Sequence, residues 1–296
     1  MRPASLTPPA ALVGVLLLTA CGTAEGDGDG TADGGTPSST ACATAQPVDT
    51  TGLELDGVRV DALGGVGYDG CAALSVTNDE AKAHTYTVTL SVTSEYGEAQ
   101  DSLTETVASV PPGGTVRHTL DAHQPLVTPQ GQALVRILKV RSVPTDEAPA
   151  PGGPCPESGI RLTADQGDAA MGLRVVGLLL ENCGTTPYRL DGYPEVDVLG
   201  EDHDVVTDVK VLDGSDDIAM SPGTDGPPRP LDLAPGESAR SSLVWRNTVQ
   251  AGTPVNAPYA RVRAKPGADP VTVTPELDLG TTGKLGVGPW QPEAAG

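Results

Sequence analysis

The segment "TYTVTLSV", residues 85–92, alternates without a break. Tyr86, Val88, Leu90 and Val92 fall on one side, and Thr85, Thr87, Thr89 and Ser91 on the other. Strand side chains point to opposite faces in turn, so the pattern predicts a strand with one buried face. Related patterns recur along the chain. In the first half they run through "ALSVTNDEAKAHTYTVTLSV" (73–92), "VPPGGTVRHTL" (110–120) and "ALVRILKVRS" (133–142). In the second half they run through "GLLLENCGTTPYRLDGYPEVDVL" (177–199), "LAPGESARSSLVW" (233–245) and "YARVRAKPG" (259–267). Each half gives a strand ending in Asn, a polar turn, a Tyr-led strand, a Pro-Gly turn into a Ser/Thr-rich strand, and a basic closing strand.

Asn78 and Asn182 end their strands where a side-chain amide can satisfy the backbone of a turn. Pro112-Gly113 and Pro235-Gly236 set a fixed φ beside a permissive residue, which suits a tight turn. An internal repeat of this length predicts two modules of one design. Roughly six to eight short strands per module predict an all-β protein built from two immunoglobulin-like β-sandwiches. The 37 Gly and 28 Pro argue against long helices. The expected division is a first module over 42–146, a proline-stiffened linker "EAPAPGGP" over 147–154, a second module over 155–280 and a tail over 281–296.

The N-terminal pattern differs. Arg2 is followed by an apolar stretch, Ala10–Leu18, of signal-peptide length and too short for a permanent span. It ends in Leu18-Thr19-Ala20-Cys21, which resembles the lipobox of bacterial lipoproteins. That resemblance implies a signal peptide over 1–20, cleavage before Cys21 and a diacylglycerol on its sulfur. Two or three acyl chains anchor a protein stably where one does not. Residues 22–40 are mostly Gly, Asp, Thr, Ser and Ala, with little to bury, so 21–41 is expected to be a lipidated cysteine and a flexible tether. Its acidic glycine-rich stretch fails as an EF-hand, because Thr40 stands where a bidentate Glu is needed.

Cysteine usage agrees with export. Setting Cys21 aside, four cysteines remain, two per module. Disulfides within modules, Cys42–Cys71 and Cys155–Cys183, are expected for an exported chain. The formal charge of −21 repels nucleic acid and anionic lipid.

No catalytic motif stands out. "GVGYDG", 65–70, matches a dinucleotide-loop pattern but is followed by a strand, so it predicts a hairpin turn. His84, His118, His123 and His203 occupy polar contexts and are expected on the surface. Glu201, Asp202, His203 and Asp204 form the densest acidic cluster, expected as a solvated turn rather than a cation site. The long polar loop 211–230 is the candidate binding loop, with Asp213, Asp216, Asp217 and Asp225 as its candidate residues. Trp245 and Tyr193 are expected to pack, and Tyr86 and Tyr188 to share a packing role.

The second half also resembles a family of actinobacterial domains of unknown function, DUF4232. The matching residues are Cys155, Asn182, Gly184, Leu190, Gly192, Tyr193, Pro194, Leu233, Pro235, Gly236 and Trp245. The resemblance covers roughly 155–275 and implies a β-sandwich in an exported setting, with no activity. The sequence therefore predicts a lipid-anchored protein on the outer face of the cytoplasmic membrane with a non-catalytic binding role. Its expected partners are the membrane, through Cys21, and an envelope protein or ligand, with no nucleic acid, metal or cofactor. The alternative is a structural or accessory subunit, and a secreted hydrolase is third, since nothing pairs a nucleophile with a base.

Overall fold

The computed structural model describes residues 42, 47, 51–64, 70–94, 96–128, 131–219 and 226–293. The signal peptide, Cys21, the tether and Asp225 lie outside them. The described chain is built almost wholly from strands, with one short 3-10 turn at Thr145–Glu147. No helix among the described residues is long and apolar enough to cross a membrane.

The first module is a sandwich of two sheets. One orders Glu54–Leu55, Val58–Gly64, Cys71–Thr77 and Thr115–Asp121; the other orders Ala99–Val110, His84–Thr93 and Leu134–Pro144. The alternation at 85–92 holds: Tyr86, Val88, Leu90 and Val92 are buried in the core with Val58, Leu74, Val76 and Leu120. On the opposite face Thr85 is buried, while Thr87, Thr89 and Ser91 are half-covered rather than wet. Val58–Gly64 and Cys71–Thr77 pair antiparallel; the turn expected at "GVGYDG" lies, but for Gly70, outside the described residues, and a strand follows it.

In the second module Leu173–Asn182 pairs with Ser238–Arg246 over nine positions. Ile160–Ala164 flanks one side, while Lys284–Val287 and Lys210–Asp213 continue the other. Glu195–Leu199, Tyr259–Arg263 and Pro270–Val273 form a three-stranded sheet. One core, including Leu178, Leu180, Leu243, Trp245 and Val262, unites these layers.

Both modules share one internal device. Asn78 and Asn182 are buried at 0% and 1% exposure. Asn78 Nδ2 donates to the carbonyls of Lys82 and Val110, and Asn182 Nδ2 donates to those of Thr186 and Leu233. Their Oδ1 atoms accept from the N–H of Glu80 and of Gly184. The Pro-Gly turns close on the same residues, as the Gly113 and Gly236 N–H groups donate to the carbonyls of Asn78 and Asn182. Both glycines have positive φ, 64° and 85°, which ordinary side chains resist.

The expected disulfides are present, with Cα–Cα separations of 5.6 Å for Cys42–Cys71 and 5.7 Å for Cys155–Cys183. The tail needs correction. Lys284–Val287 pairs with Ser238–Arg246, and Gln291–Pro292 pairs with its other end. Leu285, Val287 and Trp290 are core residues. The segment 281–293 is thus part of the second module, drawn in by the apolar side chains it buries. The described residues from Cys42 to Glu293 form one compact unit, and its two cores meet at a small third cluster of Val143, Leu199 and Tyr259.

Candidate functional site

The junction is built from the basic closing strand of the first module. Leu134–Pro144 runs out of the first core, and its last turn carries Arg141, Ser142 and Val143 onto the second module. Arg141 forks onto Glu276, with Nε to Oε1 and Nη2 to Oε2 both at 2.8 Å. This two-pronged geometry fixes orientation as well as attraction. Lys139 reaches the same carboxylate at 3.1 Å, and Arg141 Nη1 reaches Glu201 at 3.3 Å. Glu276 has a positive φ of 55°, an uncommon backbone for a residue with a side chain.

Burial pulls the Arg141 guanidinium toward its neutral form, but the bonds and charge of Glu276, with Glu201, outweigh it and raise its pKa. Burial pushes the Glu276 carboxyl up, and Arg141 and Lys139 outweigh that, leaving it below the usual carboxylate value. Glu147, in the short 3-10 turn, accepts from Arg261 Nε at 2.8 Å and from the Thr272 hydroxyl at 2.7 Å. The start of the expected linker is therefore docked on the second module.

Beside this clamp lies a cleft of about 340 Å³. Its charged lining is Asp56, Asp79 and Glu80 from the first module and Glu201 and Asp202 from the second. All five are exposed. Among the described residues only Glu201 of these meets a cation, Arg141. Two buried rings, Tyr86 and Tyr259, also line it. The Tyr86 hydroxyl donates to Asn78 Oδ1 at 3.2 Å. Burial first, then Glu80 and Asp79, push its pKa up to about 12. Burial also raises Tyr259, with the Ser142 N–H and Arg141 pulling the other way. Carboxylates converging on a concave surface focus a negative field, so the cleft favours cationic groups.

A second cleft of about 630 Å³ lies along the linker and includes Arg161, Tyr188 and Lys265. Its cations are already engaged. Arg161 pairs with Glu181 at 2.6 Å, and Lys265 Nζ sits 3.8 Å from the Tyr188 ring centre.

The expected site residues are placed elsewhere. Asp213 ends a strand that pairs parallel with Lys284–Val287, and Asp216 and Asp217 are exposed on the turn that follows. That turn is packed, since the Ile218 carbonyl accepts Arg246 Nε at 2.9 Å. None of these three lines a cleft described above, and Asp225 lies outside the described residues. In the acidic turn at 201–204, Glu201, Asp202 and Asp204 are exposed, and among the described residues no three His, Cys, Asp or Glu are placed to hold a metal. His203 instead turns into the junction, its Nε2 at 2.7 Å from the Ser142 carbonyl. His84 is buried rather than on the surface. Trp245 packs as expected, its indole N–H donating to Asp278 at 2.7 Å. Tyr86 and Tyr188 do not share one role: Tyr86 is buried, whereas Tyr188 is half-buried under Lys265.

Sequence reasoning missed Arg141, Glu276 and Tyr259. A usable signal was the spacing of Arg136, Lys139 and Arg141 along an otherwise apolar strand of an acidic chain.

No curated protein matches the chain. Among solved structures it is similar to a red sea bream transglutaminase, at 10% identity over 82% of this chain and 32% of that one, with a TM-score of 0.17. It is also similar to a putative beta-galactosidase from Bacteroides fragilis, at 13% identity over 84% of this chain and 35% of that one, with a TM-score of 0.23. The chain spans about a third of the length of each, and likenesses this faint carry no argument. The second module is different: residues 155–291, the strand Lys284–Val287 included, match the family described as "Domain of unknown function (DUF4232)".

Proposed function

We propose that this is an exported, lipid-anchored envelope protein that binds a cation-bearing partner without transforming it. The single observation that supports the binding reading is the carboxylate-lined cleft between two modules clamped by Arg141 and Glu276. Binding sites favour such junctions between modules. The non-catalytic part is supported by the sequence motifs. The sequence carries none of the short motifs that pair a nucleophile with a base. The immunoglobulin-like character of the first module belongs to the same proposal.

Anchoring on the outer face of the cytoplasmic membrane is supported by Leu18-Thr19-Ala20-Cys21 behind its apolar stretch. It is supported too by the two disulfides, which belong to an oxidising compartment. Cys21→Ala is expected to abolish lipidation and leave the precursor uncleaved or released to the medium. Mass spectrometry of the membrane fraction reads this, and an unmodified Cys21 in the membrane-bound wild type would overturn the anchor.

For the cleft, a short oligo-lysine peptide is the probe. Its affinity for the full chain is expected to fall as salt rises. Glu80→Gln and Glu201→Gln are each expected to weaken it by roughly 1.5- to 5-fold, the range of exposed ion pairs. Equal affinity in the double variant would remove the cleft from the account.

A further inference from the structure

Two histidines from different modules meet at the junction. His84 opens the strand His84–Thr93 and is 5% exposed. Its Nδ1 is buried and has no hydrogen-bond partner. His203 comes from the turn that follows Glu195–Leu199, and its positive φ of 60° points to a backbone held by its surroundings. Its ring stands edge-on to His84, with centres 6.0 Å apart, and lies over Tyr259 at 4.4 Å. A carbonyl can only accept, so the contact with Ser142 makes Nε2 the N–H of the neutral His203 ring.

We propose that His84 and His203 are an acid-operated latch on the module junction. When neutral, the rings pack edge to face and hold the modules closed. When His84 takes up a proton, a charge enters a covered contact, its Nδ1 carries an N–H with no acceptor, and the junction opens. Histidine is the side chain suited to such a change in mildly acidic surroundings.

The neighbouring charges set the balance. Burial is the largest influence on His84 and lowers its proton affinity. Glu80 and Asp146 favour its charged form, while His203 and Lys82 oppose it. Tyr86 lies near the His84 ring, at 6.5 Å between centres. His203 is flanked by Glu201, Asp202 and Asp204 of its own turn, with Arg141 6.0 Å from the ring centre of the Tyr259 beneath it. The sign follows from linkage. A histidine whose pKa is lower when folded binds fewer protons closed than open. Acid therefore favours the open form, by up to about tenfold per pH unit for each proton taken up.

Hydrogen exchange of the full chain tests this without any ligand, so it stands apart from the binding reading. Exchange is compared at about pH 7.5 and about pH 5, either side of the histidine range, and corrected for intrinsic rates. Peptides covering 141–148, 200–206 and 258–263 are expected to open more at the lower pH, by up to about tenfold per pH unit within the histidine range. Peptides covering 86–92 and 243–246 should keep their protection. His84→Gln is of similar size but cannot ionise, and its junction should lose most of this response. Junction exchange that does not change with pH in the wild type would overturn the latch. So would an unchanged pH response in His84→Gln.

Discussion

Trp290→Ala is expected to cost the second module about 3–5 kcal/mol, the usual range for emptying a buried tryptophan site. Trp290 is fully buried, and its indole N–H donates to the Ala264 carbonyl at 2.8 Å. Its backbone N–H donates to the Gly192 carbonyl at 2.9 Å. Gly192 stands at a positive φ of 80°, within the Leu190-x-Gly192-Tyr193-Pro194 stretch that resembles the family pattern. Alanine leaves a cavity among Leu285, Val287 and their neighbours, and strands the Ala264 carbonyl. A domain has only about 5–15 kcal/mol of stability, so the variant should lie near the edge of folding. Urea unfolding followed by tryptophan fluorescence and circular dichroism gives the loss. An unchanged midpoint would restore 281–293 to the status of a dispensable tail.

Asn182→Ala and Asn78→Ala are each expected to cost about 2–4 kcal/mol, since each uncovers two carbonyls and a backbone N–H, and a buried polar group left unpaired costs roughly 1–3 kcal/mol. The Val110 and Leu233 carbonyls are reached by buried amide bonds, so water does not readily replace the donor. Asp at either position is expected to be as harmful. It keeps an acceptor but cannot donate to the two carbonyls, and it brings a charge into a buried site. Denaturation midpoints of the four variants check this. A loss under about 1 kcal/mol in the alanine variants would mean that the turns are held by their backbone bonds alone.

These two effects differ in how far the sequence disclosed them. Asn78 and Asn182 are local devices. Each sits at a strand end, a few residues from the turn it satisfies, and the repeat shows it twice. The 85–92 strand was legible for the same reason, and so were the disulfides, whose spacings of 29 and 28 repeat between modules. Trp290 was obscured because its segment, "GKLGVGPWQP", spreads Leu285, Val287 and Trp290 among Gly and Pro. No run of alternation forms, although each apolar residue enters the core.

The junction was hidden for a different reason. Arg141 and Glu276 lie 135 residues apart, and no short-range pattern joins them. Glu276 stands between Pro275 and Leu277 with nothing to distinguish it from other surface acids. His84 is the instructive case. Its polar neighbours suggested the surface, yet it shares parity with Tyr86, Val88 and Leu90, so the alternation already placed it on the buried face. The acidic residues of 211–230 drew attention by loop length, while part of that loop is a strand and a packed turn.

The central claim is that the junction cleft, and not the 211–230 segment, receives a cationic partner. The most direct test is a hydrogen-exchange footprint of the full chain with saturating oligo-lysine peptide at low salt. The account predicts protection in peptides covering 77–86 and 200–206, which carry Asp79, Glu80, Glu201 and Asp202, and loss of that protection in the Glu80→Gln, Glu201→Gln double variant. Protection confined to 211–230, or protection at 77–86 and 200–206 that persists in the double variant, would contradict it.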